Sequence, residues 1–346
     1  LPDGRTAYFL KAHHALTDGL GAILALAQLH SPSRDPIPDK PQPPAPPPTE
    51  LSAFEVLARQ VGQEIRRTPY RAGVVLRGAL ALTDPKQALS KVLRYGRSVP
   101  RVAGLVSPPG SPLLAERSLS WRFLAFEVPF VELKAVAKSM KASINDVYLG
   151  GLIGGFRIYH EKMGEQVDAI PVAIPISVRR PEDPEGGNRI AVGRLAGPMG
   201  IDDPFERVLT IREQVRAART EPAVDIFNTL GSVLAWMPGE LLGQFSGATS
   251  MNDLQASNVP GIPWETFVAG AKVERLFPFG PLPGCAVMAT MITHNATACL
   301  GLNCDAASIS DPELFAECIV AGFDEVLAVA DPTGEDTDRV GMRRVV

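Results

Sequence analysis

Apolar and polar residues alternate along Thr6–His13, with Tyr8 and Leu10 on one face and Phe9 and Lys11 on the other, and this period of two predicts a strand. After the turn HALTDG the chain turns to alanine and leucine, and a helix is expected over Leu20–Leu29. Helical spacing returns from Leu51 to about Leu93. Leu119–Val128 reads as a strand, Pro129–Lys141 as a helix with proline in its first turn, and Ser143 as the start of a second helix. On that second helix Ile144, Val147, Tyr148, Leu152, Phe156 and Tyr159 recur at helical spacing. Strands are predicted over Ile170–Val178, Ile190–Met199, Leu254–Val259, Phe267–Leu276, Ala286–Thr293 and Ala298–Asn303. An amphipathic helix is expected over Asp203–Arg219, and a last one over Glu313–Val329 with Asp311 as its N-cap. This order indicates an α/β chain, closer to α+β lobes than to a regular doubly wound sheet.

Proline and glycine exceed their usual share of about 12%, and residues 31–49 (SPSRDPIPDKPQPPAPPPT) hold the first concentration of proline. Proline fixes its own φ and cannot donate to a ladder, so this segment is extended. The shifts divide the chain into residues 1–30, a proline-rich linker at 31–50, a helical crossover at 51–118, a strand-and-helix body at 119–330 and a tail at 331–346.

The net charge of −4 comes without a long basic run and argues against nucleic acid as a partner. No stretch approaches the ~20 apolar residues of a membrane-spanning helix, and none reads as a signal peptide. Cys285, Cys299, Cys304 and Cys318 match no metal-ligand spacing, so no metal is expected and buried free thiols are the simplest reading.

Two of the five histidines are adjacent, His13 and His14, where a strand meets a helix. Alternation points the two imidazoles in opposite directions, so at most one faces a cavity. Asp18 precedes the helix and suits its N-cap; Gly19 follows. His30 lies at the end of its helix, where a histidine favours the dipole. His160 and His294 have no companions and are expected at the surface or hydrogen-bonded. Gly150–Gly155 (GGLIGG) lies within a helix and lacks the lysine and strand of a phosphate loop, so close helix packing accounts for it. Asn295-Ala296-Thr297 is expected as a hairpin turn.

The run H-H-x-x-x-D-G at His13–Gly19 resembles the signature of the CoA-dependent acyltransferase superfamily. More specifically, the chain resembles the bacterial wax ester synthase/diacylglycerol acyltransferase family. Asn145-Asp146-Val147-Tyr148-Leu149-Gly150 is similar to its NDVVLA segment, Ile174-Pro175-Ile176-Ser177-Val178-Arg179 to its PVSVR strand and Ser257-Asn258-Val259-Pro260-Gly261 to its SNVPG segment. Pro283–Asp305 resembles its closing hairpin. Gly150, Tyr148 and Ile262 depart from the usual residues at peripheral positions. The resemblance implies a two-lobe, chloramphenicol-acetyltransferase-like fold with mixed sheets. Residues 1–30 would be the remnant of the N-terminal acyltransferase lobe, and 119–330 the C-terminal lobe. The family carries roughly 100–150 further residues before the histidine strand, a domain's worth. None of them is in this sequence, so an incomplete N-terminal lobe is expected.

The resemblance further implies transfer of a long-chain acyl group from acyl-CoA, as co-substrate and without another cofactor, to diacylglycerol or a fatty alcohol. His14 would be the general base, since a neutral imidazole is well placed to take an alcohol's proton. His13, Asp18 and Gly19 would complete the turn, with Asp18 in a structural role. Asn145, Asp146, Ser257 and Asn258 would bind substrate or the oxyanion, Asn145 and Asn258 being its two candidate donors. By position alone Asn145 and Asp146 would instead cap their helix. No covalent intermediate is suggested. A different alcohol acceptor (polyketide or sugar) and a non-catalytic lipid-binding fragment are the competing readings. A cytoplasmic protein at the periphery of the inner membrane or of lipid droplets is expected, with Leu234, Trp236, Met237, Leu241, Leu242 and Phe245 as a surface patch or a core helix.

Overall fold

The computed structural model describes residues 1, 4–13, 16, 19–35, 44, 51–59, 61–62, 65–66, 98, 107–177, 190–221, 252–330 and 340–345. The chain divides into two compact units, Ile37–Ser98 and the remainder, Leu1–Pro36 with Val99–Val346. In the first, residues 53–59 are helical behind a capping box. Ser52 donates its amide (2.9 Å) and hydroxyl (2.7 Å) to the Glu55 carboxylate, while the Glu55 amide donates to Ser52 Oγ (3.3 Å).

The larger unit is built on a seven-stranded mixed sheet. Its strands are β1 (Trp121–Pro129), β2 (Ala169–Ser177), β3 (Ile190–Pro198), β4 (Leu254–Ile262), β7 (Val287–His294), β8 (Thr297–Asp305) and β9 (Arg343–Arg344), in the order β3-β2-β4-β7-β8-β1-β9. β2, β4 and β7 run parallel, and the remaining neighbours pair antiparallel. A separate hairpin, β5 (Phe267–Val268) and β6 (Ala271–Lys272), turns through Ala269 and Gly270, both at positive φ. β9 brings residues 343–344 of the tail back onto β1.

One face of the sheet carries the core. Leu124, Phe126 and Val128 pair with Leu302, Leu300 and Ala298, and these join Val287, Ala289 and Met291 beneath the helices. Those helices are α2 (Phe130–Ser139), α3 (Ile144–Met163), α4 (Pro204–Arg219) and α5 (Pro312–Ala328). α1 (Gly19–Leu29) lies apart from them, against β4.

The glycine run of α3 makes this layer possible. A Cβ on Gly155 would lie 2.8 Å from Ile319 Cα, and one on Gly322 would lie 2.0 Å from the Gly155 nitrogen, so α3 and α5 meet backbone to backbone. This is the close packing expected of GGLIGG. Arg207 of α4 is fully buried beside it. Its guanidinium donates to Gly150 O (3.3 Å), Ile201 O (3.0 Å), Asp202 O (3.2 Å) and the Glu325 carboxylate (2.7 Å), tying three helices together.

Apart from Phe267–Leu276, the expected strands and helices from residue 119 to 329 are present within a few residues of their predicted bounds, with Ser143, Asp203 and Asp311 as N-caps. Two expectations are corrected. Thr6–His13 joins no ladder among the described residues, and Tyr8, Phe9 and Leu10 are exposed. Alternation assigns faces to a strand and supplies no neighbour for its amides. The strand expected over Phe267–Leu276 is instead the short β5–β6 hairpin, because Ala269-Gly270 takes the left-handed turn. Asn295 turns the β7–β8 hairpin at φ 53°, as expected of that segment. Most of the helical crossover and the proposed apolar patch from Leu234 to Phe245 lie outside the described residues.

Candidate active site

The parallel strands part at the SNVPG segment. β2 and β4 share only the pairs Val172↔Leu254 and Ala173↔Gln255, so from Ala256 onward β4 has β7 as its only ladder partner among the described residues. The carboxyl end of a parallel strand, where neighbours diverge, is where open α/β sheets form their ligand crevices.

Alternation along β4 divides the predicted residues between the two faces. Ser257 pairs with Thr290 on the face away from the core, whereas Asn258 pairs with Met291 on the helix-covered face. Ser257 is buried and Asn258 half-buried. β4 then breaks register between Val259 and Ile262. Gly261 is required there, since a Cβ would lie 1.6 Å from the Thr293 carbonyl oxygen.

Two further elements converge on this end. Gly19, the first residue of α1, lies against Val259, and a Cβ on it would stand 3.0 Å from Val259 Cγ2. Val259 shares the Ser257 face, so the HHxxxDG turn leads directly into a helix seated on the SNVPG strand. On the other face, α3 runs opposite to β4. Its carboxyl half is fixed at the amino end of β4, where the ring of His160 (Nε2) meets Ser111 Oγ at 2.8 Å and the Ser111 amide donates to Asp253 at 2.7 Å. Asn145 stands at the other end of α3, N-terminal to the anchored end near Asp253.

Asp146 is buried in a capping box. Its carboxylate accepts from the Ser143 amide (2.8 Å), and its own amide donates to Ser143 Oγ (3.2 Å). Asn145, half-buried, stands beside that cap. His13 is exposed, and its carbonyl accepts from the Leu16 amide at 3.0 Å, closing a turn. His14 and Asp18 lie outside the described residues.

Sequence reasoning missed Thr290, whose hydroxyl is buried next to Ser257 without a hydrogen-bond partner among the described residues. Its only signal is the β4–β7 register. His160 and His294 are hydrogen-bonded, one of the two places expected for them, whereas His30 departs from expectation. His160 is buried, donates from Nδ1 to Phe156 O (2.8 Å), and is held below its ordinary pKa by that burial. His294 does have a companion, His30; both are buried, and burial followed by the neighbouring His294 lowers the His30 pKa. The helix dipole expected to favour a charged His30 is thus outweighed.

All four cysteines are free and buried. Desolvation pushes Cys285 up to about 12 and Cys299 up to about 11, and raises Cys304 and Cys318 as well, so none is poised as a nucleophile. Among the described residues no group of three or more metal-ligating side chains occurs, and no helix is long and apolar enough to cross a membrane.

Residues 1–148 match the catalytic domain of the wax ester synthase/diacylglycerol acyltransferases, and residues 186–326 match the WS/DGAT C-terminal domain. A Mycobacterium tuberculosis protein provisionally named a diacylglycerol O-acyltransferase is 38% identical over 339 residues, spanning 95% of this chain and 68% of the relative. A second from that organism is 26% identical over 342 residues, spanning 95% and 71%. Among solved structures, the wax ester synthase/diacylglycerol acyltransferase from Marinobacter aquaeolei VT8 superposes with a TM-score of 0.55 at 17% identity, over 92% of this chain and 66% of that one. That likeness is one of fold.

Proposed function

Because this chain belongs to the wax ester synthase/diacylglycerol acyltransferase family, we propose that it moves a long-chain acyl group from acyl-CoA to the hydroxyl of diacylglycerol or of a fatty alcohol. The observation that carries this reading is the seating of Gly19 on Val259, which brings the histidine turn to the Ser257 face of the strand, at the carboxyl end of a parallel pair.

In this mechanism the neutral imidazole of His14 takes the proton of the acceptor hydroxyl as its oxygen attacks the thioester carbonyl. The carbonyl oxygen becomes an oxyanion, to which Asn258 or Asn145 donates. Collapse expels the CoA thiolate, which recovers the proton from His14. A positioned base contributes about 10²–10⁴-fold, and an oxyanion donor about 10²–10³-fold where one has been removed. Acyl-CoA is the only co-substrate required. His13, exposed, closes the turn through its carbonyl, and Asp18 holds the head of α1.

The test is release of free CoA thiol from palmitoyl-CoA, with diacylglycerol and separately with hexadecanol. Turnover with either, lost in His14→Ala, is expected. Turnover confined to a sugar or polyketide alcohol would replace the acceptor. If neither the wild-type chain nor a version extended upstream releases thiol with any acceptor, a non-catalytic lipid-binding role would take its place.

A further inference from the structure

α1 is held at both ends. Gly19 seats its start; its far end is held by one hairpin. His30, the first residue beyond α1, donates its amide to Leu26 O at 2.9 Å, and Ser31 exchanges two backbone bonds of 2.8 Å with Phe267 of β5. The Arg34 guanidinium lies over the Phe267 ring at 5.6 Å and donates to Gly270 O at 3.2 Å. The same hairpin is fixed to the end of β7, where His294 Nε2 meets Val273 O at 3.0 Å and the Val273 amide donates to Thr266 O at 2.8 Å.

Both rings are buried in this junction. His30 is 7% exposed and His294 1%. A carbonyl can only accept, so His294 Nε2 carries the hydrogen, and its buried Nδ1 is a bare lone pair. Neither that nitrogen, nor His30 Nδ1, nor Thr266 Oγ1 has a hydrogen-bond partner among the described residues. Charging the His30 ring would place a proton on a buried nitrogen with no acceptor beside it.

The charged groups around the junction are engaged elsewhere. Glu265 pairs with Lys272, Glu274 with Arg5, and Arg34 with the Phe267 ring and Gly270. Asp35 is exposed at the end of the 31–35 turn. α1 and the Asn295-Ala296 turn contain no charged residue.

We propose that His30, with the buried His294 ring as its neighbour, positions α1, and so the histidine turn that precedes it, on the sheet only while the His30 ring is uncharged. It acts as a latch on α1, opened by acid. The effect on turnover rests on the reading of His14 as the base, while the docking of α1 does not. The sign follows from linkage. His30 is harder to protonate when docked than when released, so the latch is fully closed above about pH 6.5 and weakens below it. Charging His30 adds up to about tenfold in opening per pH unit.

Amide hydrogen exchange on the 346-residue chain between pH 7.5 and 5.0, corrected for intrinsic rate, tests this, with peptides over Gly19–Ser31 read against α3. Opening of α1 should rise measurably relative to α3 as pH falls from 7.5 to 5.0, and His30→Gln should remove most of that rise. His294→Gln, which removes the ring beside His30, should reduce the rise; should that variant fail to fold, the wild-type series and His30→Gln still decide. Protection of α1 that does not change with pH, or the same acid response in His30→Gln, overturns the proposal. Acid opening of α1 in a chain without turnover leaves the latch standing and removes the acyltransferase reading. Turnover with an acid-insensitive α1 removes the latch alone.

Discussion

Gly19 of α1 and Val259 of β4 pack with no room for an ordinary side chain between them: a Cβ on Gly19 would lie 3.0 Å from Val259 Cγ2 and 3.4 Å from Cγ1. A methyl there asks Val259 to yield a few tenths of an ångström, against a gain of up to about 1 kcal/mol in helix propensity. Gly19→Ala should therefore fold and turn over much like the parent. Gly19→Val sets one stiff β-branched side chain on another. It should cut kcat/KM at least tenfold while the melting temperature of the sheet barely moves. Full turnover in Gly19→Val would show that this seat does not position the catalytic turn.

Gly261 and Gly322 meet backbone instead of a side-chain tip, at 1.6 Å from Thr293 O and 2.0 Å from the Gly155 nitrogen. Neither neighbour can rotate aside. Alanine at either position should cost about 3 kcal/mol or more, the upper end for overpacking, and chemical denaturation would measure it. Gly261→Ala should also shift the β4–β7 register and abolish activity; Gly322→Ala should leave residual activity in whatever fraction folds. A loss below about 1 kcal/mol at both sites would contradict the close approaches.

His14 and Asp18 should separate in their effects. His14→Ala should lower kcat by about 10²–10⁴-fold with an unchanged melt. Asp18→Ala, if the carboxylate caps α1, should cost about 0.5–2 kcal/mol of stability and affect kcat less. Equal losses of activity with comparable melts in both variants would make Asp18 a catalytic partner.

Local periodicity made much of this fold legible. β3 and α4 bury one face, and β2, β7 and β8 are buried along nearly their whole length as continuous apolar runs, so their sequence patterns mark them to within a few residues. The cap at Asp146 and the close packing of GGLIGG were legible for the same reason, since caps and small-residue stripes act within a turn or two. Pairings across the chain were not. That Ser257 and Asn258 stand on opposite faces follows from their being adjacent in a strand, but which face carries the helices emerges only from the β4–β7 register. The parting of β2 from β4, the Thr290 hydroxyl beside Ser257 and the meeting of His30 with His294 depend on segments far apart in sequence. Nothing near any one of these residues signals its partner. Thr6–His13 fails in the opposite way: its alternation is clear and its ladder partner is absent among the described residues.

Asp253 supplies a test at the opposite end of β4 from the candidate site. Its carboxylate accepts from the Ser111 amide at 2.7 Å and lies 3.8 Å from Arg117, yet burial outweighs both and pushes its pKa up to about 6 from 3.8. The folded state therefore holds this proton more tightly than the unfolded chain. The contribution to stability is full below about pH 3.8 and is lost as pH rises through about 6. At pH 7.5 the ionised group destabilises the fold by at most about 3 kcal/mol. Asn keeps an oxygen for the Ser111 amide and removes the buried charge. Arg117, which also donates to Gly284 O, Glu116 O and Ser308 Oγ, keeps those other partners. Asp253→Asn should accordingly raise the melting temperature at pH 7.5, and its advantage should shrink as pH falls from 6 to 4. Denaturation of both proteins across that range measures it. A variant less stable than the parent at pH 7.5 would mean that the Arg117 pairing, and not desolvation, governs this carboxylate.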